Sequence, residues 1–273
     1  MIPVSIVIIT KNEALLIGEC LKSAALITDD IVVIDSGSTD GTLEIARQYG
    51  CRIYQENWEG YGANKNKGVA LAHYDWILSI DGDEIADRRL IRSLHNLDFD
   101  DPRIVYDIKF RSYFGKKPIR FGEWGRNHHV RLFNRSQIKW AKAKVHETLL
   151  LPKGTIRKKT EGRLHHFSVQ NIFECHNKAI YYARLSAAQY AKNGNKASFL
   201  KLYLSPSFVF VKNYILRLGF LDGWEGLVIA KMMFKNTRLK YYYLKQYEQG
   251  KFVRDENLPH HQHLFLNIDP FEK

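Results

Sequence analysis

Trp76-Ile77-Leu78-Ser79-Ile80-Asp81-Gly82-Asp83-Glu84 is an apolar run that ends in three carboxylates within four residues. The run is too short for a helix and too apolar for a sheet with one wet face, so it reads as a strand covered on both sides. Alternate side chains of an extended chain face the same way, which would let Asp81 and Asp83 converge while Gly82 admits a ligand close to the backbone. Carboxylates that close resist joint ionisation unless a cation compensates. A hard ion such as Mg²⁺ or Mn²⁺ takes oxygen ligands and completes its shell with substrate phosphates. The plainer alternative is a polar turn whose acids cap a helix starting near Asp87.

Outward from this stretch, residues 4–9 (Val-Ser-Ile-Val-Ile-Ile) and 31–34 (Ile-Val-Val-Ile) are runs of the same kind, and residues 13–24, 42–49 and 62–73 read as helices between them. Alternating strand and helix predict a parallel sheet with covering helices, whose ligands sit beyond the strands' C-terminal ends. Three polar clusters fall at those ends: Thr10-Lys11-Asn12-Glu13, Asp35 through Thr42, and Asp81 through Glu84. Asp35 is placed to accept from a nucleotide base or ribose hydroxyl, and Asp40 to cap the helix at 42–49. Residues 104–135 turn to strands and loops, including 105–110 and 130–133. This stretch holds Arg126, His128, His129, Arg131 and Arg135, and Val145-His146-Glu147 follows it. Beyond 169 the pattern is helical, which predicts an α/β domain over 1–168 and a helical region over 169–273.

With 273 residues and 45% hydrophobic content, the chain can bury a full core. Cys20, Cys51 and Cys175 are few, scattered and odd in number, which predicts neither disulfides nor a thiolate metal site, and suits a reducing cytoplasm. The start of the chain lacks the pattern of a signal peptide, and no apolar run approaches the roughly 20 residues that span a bilayer. The net charge of +12 calls for an anionic partner. No basic-aromatic stretch marks a nucleic-acid module, so no nucleic acid larger than a bound nucleotide is expected.

Ser5 through Glu13, Ile34 through Thr42, Lys65-Asn66 and Asp81 through Glu84, taken together, resemble the family 2 glycosyltransferases with a GT-A fold, an α/β, Rossmann-like, nucleotide-diphospho-sugar transferase architecture. Arg131-Leu132-Phe133, Val145-His146-Glu147, His166-Phe167-Ser168 and Gly219 through Gly223 resemble the branch with bacterial lipopolysaccharide-core β-1,4-glucosyltransferases. The resemblance implies that Thr10, Glu13 and Asp35 surround the base and ribose, and that Asp83, with Asp81 nearby, engages Mg²⁺ or Mn²⁺ and the sugar diphosphate. Lys65 stands where the family often has arginine; it would neutralise phosphate without the bidentate fork, or else be an exposed lysine on its helix. Arg131, with Arg126, would clamp the diphosphate. Glu147 would be the catalytic base, with Asp107 or Glu123 as alternatives, and His166 a further metal ligand, with His165 competing for that place. His260, His261 and His263 read as a solvated tail.

The function so implied is inverting transfer of a hexose, glucose from UDP-glucose, to a heptose of the lipopolysaccharide inner core. A polyprenyl-linked glycan or capsule precursor is the alternative acceptor, and a basic nucleic-acid-binding or non-catalytic membrane adaptor protein the alternative of another class. The partners are then a UDP-sugar donor and a lipid-anchored saccharide acceptor, on the cytoplasmic face of the inner membrane. Residues 207–247 support a peripheral contact with anionic membrane: Phe208, Val211, Ile215 and Leu218, then Lys231, Lys235 and Arg238, recur at helical spacing. The same helices would otherwise pack on the catalytic domain or a second subunit.

Overall fold

Val4–Thr10 (β1) and Ile31–Asp35 (β2) are buried along their whole length, Arg52–Gln55 (β3) is a half-covered edge, and Trp76–Asp81 (β4) is buried up to its final aspartate. They pair in parallel in the order β3-β2-β1-β4. The computed structural model describes residues 2–141 and 148–251.

Two compact units divide the chain: Met1–Arg111 with Asn127–Phe167, and Ser112–Arg126 with Ser168–Lys273. The single cut expected at 168 therefore misses that residues 112–126 belong with the helices. Asp222 holds them there. Its carboxylate accepts from the Arg120 and Phe121 amides at 3.1 and 2.8 Å, and its carbonyl accepts from Lys117 Nζ at 2.7 Å.

In the first unit, Ile17–Ala25 (α1), Thr42–Gln48 (α2) and Tyr61–Leu71 (α3) alternate with the parallel strands. Side-chain alternation sends Ile6, Ile8, Val33, Leu78 and Ile80 into one apolar cluster with Leu21, Ala46 and Leu90 of Arg88–His95 (α4). Their neighbours Val7, Ile9, Val32, Ile34 and Ile77 join Val69 of α3 in a second cluster. Both faces of the sheet are thus covered, which is why these strands read as continuous apolar runs. A Cβ at Gly68 would lie 2.3 Å from Val7 Cγ1, so glycine alone lets α3 sit this close to β1.

The sheet continues through strands that are short or amphipathic. Glu84–Ala86 (β5), Ile104–Phe114 (β6), Lys117–Pro118 (β7), His128–Asn134 (β8), Lys139–Trp140 (β9), Leu149–Leu150 (β10), Ile156–Lys159 (β11) and Leu164–Val169 (β12) complete the set. β8 runs antiparallel to β4, β6 antiparallel to β8, and the order ends β8-β6-β12-β5, with β11 parallel beside β6. β9 and β10 form a separate antiparallel pair.

In the second unit, β7 pairs with Tyr113 and Phe114. Ile172–Lys192 (α5), Phe199–Val211 (α6), a π-helical turn Lys212–Leu216, a 3₁₀ turn Gly219–Asp222 and Gly223–Glu248 (α7) follow. Phe114, Ile119, Val169, Cys175, Val228 and Ile229 form the core of this unit. α7 packs on α5, where Asn236 Nδ2 donates to Ala179 O at 2.8 Å and Lys235 Nζ lies 2.6 Å from His176 Nε2. Among the described residues no helix is long and apolar enough to cross a membrane.

The N-terminal ends of the parallel strands are locked by one buried acid. Asp30 accepts from the Ser5 hydroxyl, from Arg52 through Nη2 and, at 3.1 Å, Nε, and from the His73 amide at 2.8 Å. Burial alone would raise its pKa, but these hydrogen bonds and the guanidinium outweigh it and hold the carboxyl below its ordinary value of 3.8. Its stabilisation is therefore complete above that value and lost as pH falls through the lower folded one. We expect Asp30→Asn to cost about 3 kcal/mol in urea unfolding at neutral pH, with the deficit narrowing in acid. An equal stability of variant and wild type at pH 7 would contradict this lock.

Candidate active site

Thr10 is paired in register with Asp35, and Ile9 with Asp81, so β1, β2 and β4 end at one level. The loops beyond them are laced together. Ser36 N donates to Thr10 O at 3.0 Å, Gly82 N to Ile9 O at 3.1 Å, Asn12 N to Ser38 Oγ at 2.8 Å, and Thr39 N to Asn12 Oδ1 at 2.8 Å. Glu13 N donates to Thr42 Oγ1 at 2.8 Å. The expected helix at 13–24 starts later, at Ile17, because Asn12 turns the chain with φ 54°. Asp35 is fully buried and accepts from the Gly37 and Ser38 amides at 2.9 Å and from the Ser38 hydroxyl. It shapes its own loop, while Asp40 accepts from the Thr42 amide at 3.0 Å at the start of α2. A Cβ on Gly82 would lie 2.9 Å from Thr10 Oγ1 and 3.3 Å from Glu13 Cγ, so the acidic loop after β4 closes directly on both residues. Thr10 Oγ1 is buried with no hydrogen-bond partner among the described residues.

Beneath this rim lies a buried charge network. Lys65 Nζ forms an ion pair with Asp81 Oδ1 at 3.1 Å, and Arg131 Nη2 reaches Asp81 Oδ2 at 3.3 Å and Glu84 Oε1 at 2.7 Å. Glu84 Oε2 accepts from the Asp81 amide at 3.0 Å. Lys65 is fully buried, 4.7 Å above the Trp140 ring, so the reading of an exposed lysine on α3 is overturned. Arg131 lies 5.2 Å from the Phe110 ring. Burial would raise the Asp81 pKa, but Lys65 and Arg131 overcome it and hold the carboxyl well below the usual range. Glu84 moves the other way. Its burial raises the pKa more than Arg131 lowers it, and the Asp81 charge adds to the rise.

The backbone is not extended through the acidic stretch: it turns at Gly82 and Asp83, which separates the partners of the two aspartates. Asp81 faces Lys65 and Arg131, whereas Asp83 Oδ2 lies 3.3 Å from His166 Nε2. β12 pairs His166 with Glu84 and His165 with Ile85, so the two histidines take opposite faces. His165 lies 3.7 Å from Asp87, the residue that caps α4 through the Leu90 amide. Burial pulls the His166 pKa down, but the charges of Asp83, Glu84 and Asp81 carry it above its ordinary value. Among the described residues, no three His, Cys, Asp or Glu side chains gather into a metal cage. One carboxylate oxygen beside one imidazole nitrogen fits an ion that draws its other ligands from water and a diphosphate.

Val145, His146 and Glu147 lie outside the described residues. β9 and β10 bracket positions 142–147, and Asn66 fixes β9 by donating to Trp140 O at 2.9 Å and accepting from its amide at 3.0 Å. Of the alternative bases, Asp107 lies in β6, and Glu123 belongs to the second unit, where it accepts from Arg217 at 3.1 Å. Arg126 ends a 3₁₀ turn in that unit, and His260, His261 and His263 lie outside the described residues. Trp140 and the pairing role of Glu84 escaped the sequence reading. Only the β5–β12 register and the approach of β9 to α3 reveal them, and neither leaves a local signature.

A parallel sheet that gathers polar loops and acids at its C-terminal rim presents them where open α/β sheets bind their ligands. Residues 5–167 match the glycosyl transferase family 2 model, and the chain belongs to that family. It is 32% identical to an uncharacterized glycosyltransferase of Rickettsia felis, over 82% of this chain and 83% of the relative. It is 30% identical to the lipopolysaccharide core biosynthesis glycosyltransferase LpsC of Rhizobium meliloti, over 84% of this chain and 89% of that protein. Among solved structures, it is 15% identical to S. aureus TarS 1-349, with a TM-score of 0.44 and coverage of 92% and 93%.

Because Arg131 balances the buried Glu84 and the half-buried Asp81, Arg131→Met should destabilise the first unit by about 3–5 kcal/mol, read as a shift in the urea midpoint. A shift below about 1 kcal/mol would show that Asp81 and Glu84 find water or other partners instead.

Proposed function

We propose that the protein transfers a hexose, glucose from UDP-glucose, to a heptose of a lipid-anchored lipopolysaccharide inner core on the cytoplasmic face of the inner membrane. The observation that carries the donor side is the Asp83–His166 pair, 3.3 Å apart at the rim where β1, β2 and β4 end. The name of the relative LpsC supports the acceptor.

In this reading, Thr10, Glu13 and Asp35 receive the base and ribose at the ends of β1 and β2. Asp83 and His166 hold a Mg²⁺ or Mn²⁺ ion, which when bound offsets charge on the diphosphate. Asp81, Lys65 and Arg131 act as positioning residues: their mutual ion pairs fix the start of the acidic loop, so little motion is left to freeze when donor binds. The acceptor hydroxyl oxygen forms the new bond to the anomeric carbon as the bond from that carbon to the diphosphate oxygen breaks. UDP leaves with the electron pair. Glu147 takes the hydroxyl proton, a role that rests on the family resemblance of Val145-His146-Glu147. A carboxylate already ionised near neutral pH suits it as the general base.

Two variants test the assignment. Asp83→Asn should abolish manganese-dependent stabilisation by UDP while leaving the metal-free melting temperature within a few degrees of wild type. Unchanged manganese dependence would remove Asp83 from the site. Glu147→Gln should keep UDP affinity and lower transfer by at least about 100-fold, within the usual contribution of a general base. Equal losses in binding and transfer would make Glu147 structural.

A further inference from the structure

α6 and the turns after it present an apolar surface of unusual kind for a folded unit. Leu200, Leu204, Phe208, Ile215, Leu216 and Trp224 are all exposed, Leu216 at 66% and Trp224 at 61%. Pro206 is the only buried residue of α6. A helix apolar around most of its circumference is ordinarily buried, and contiguous exposed apolar patches mark interaction sites. Lys201, Lys212, Arg217 and Asp222 are the only charged residues from Phe199 to Trp224. Asp222 is buried under the Arg120 and Phe121 amides, and Arg217 pairs with Glu123. Lys201 is exposed and Lys212 half-buried, and Lys192 and Lys196 lie exposed just before α6. Within residues 199–224 no acidic side chain is exposed, and the exposed Glu123 beside them is neutralised by Arg217.

We propose that this ribbon, from Phe199 to Trp224, is a membrane-docking surface that lies in the headgroup region of an anionic bilayer. The 13 residues of α6 extend about 20 Å, short of the roughly 30 Å hydrocarbon core, so the helix lies along the interface and does not span it. Apolar side chains enter the acyl boundary, Trp224 settles at the headgroup level, and the lysines meet acidic lipid. A second copy is the poorer occupant, because a two-fold contact between identical ribbons would set one lysine-bearing surface against another. The surface narrows the membrane contact expected over 207–247, keeping Phe208 and Ile215 and leaving out the inward face of α7. Val228, Ile229 and Ala230 of α7 are buried, and Lys235 is turned to His176. The proposal gives a lipid-anchored acceptor its meeting place with the enzyme, and in that respect rests on the proposed function, but its test does not use the donor.

The full chain would be cosedimented with phosphatidylcholine vesicles, with and without phosphatidylglycerol. Binding should require the anionic lipid. Leu204→Glu/Phe208→Glu/Ile215→Glu should weaken partition by at least about tenfold, as expected from lost apolar burial, with circular dichroism unchanged. Brominated acyl chains should quench fluorescence in the wild type and markedly less in Trp224→Phe. Failure of the wild type to bind anionic vesicles, or equal partition of the triple variant, would overturn the proposal. So would a dimer, seen by analytical ultracentrifugation, that the triple variant dissolves without changing vesicle partition. UDP stabilisation measured on the same samples separates the two readings: vesicle binding without UDP binding would sink the UDP-sugar donor assignment alone.

Discussion

Two cations and two carboxylates, Lys65, Arg131, Asp81 and Glu84, share a nearly dry site beneath the end of β4. Taking such charges out of water costs several kcal/mol each unless they compensate one another. Lys65 comes from α3, Arg131 from β8, Asp81 from β4 and Glu84 from β5, so the network can close only when helix, parallel strands and antiparallel strands are all in register. Placement of the acidic loop is thereby made conditional on the whole first unit. The network also explains why the two aspartates of Asp81-Gly82-Asp83 differ in environment: one satisfies buried cations, and the other is left at the rim beside His166.

The opposite ends of the strands solve a different problem. Asp30 is more deeply buried than Asp81, and its partners Ser5, Arg52 and the His73 amide belong to the base of the same parallel strands and their helix connection. One end of the sheet is fastened by a satisfied acid, and the other carries polar loops and the half-buried Asp83 beside His166. A ligand of an open parallel sheet binds at the second kind of end, and the family 2 assignment fits that polarity.

The parallel core was legible because its strands are covered on both faces and leave an unbroken apolar signature, as in Val4–Ile9 and Ile77–Ile80. The strands β3, β5, β9, β10 and β11 were not, since they are two to four residues long and β11 is exposed throughout. Positions at strand ends were read well: Thr10, Asp35 and Asp81 do share one level. What sequence spacing lacked was the turn at Gly82-Asp83, which sends neighbouring carboxylates to different partners, and the burial of Lys65, which depends on Trp140 arriving from a distant strand. In the second unit, helical spacing identified Phe208, Val211 and Ile215 as one face but could not say that α7, with similar spacing, turns Val228, Ile229 and Ala230 inward. That choice depends on α5, and only packing decides it.

The central claim is that the rim formed by β1, β2 and β4 receives a nucleoside diphosphate, with an ion at Asp83 and His166. A crystal structure with UDP and Mn²⁺, read in the manganese anomalous difference map, tests it most directly. The account predicts one strong anomalous peak in contact with Asp83 and His166, with the uridine over Thr10 and Asp35. A peak or nucleotide bound elsewhere, or a rim left empty at saturating UDP and Mn²⁺, would contradict it.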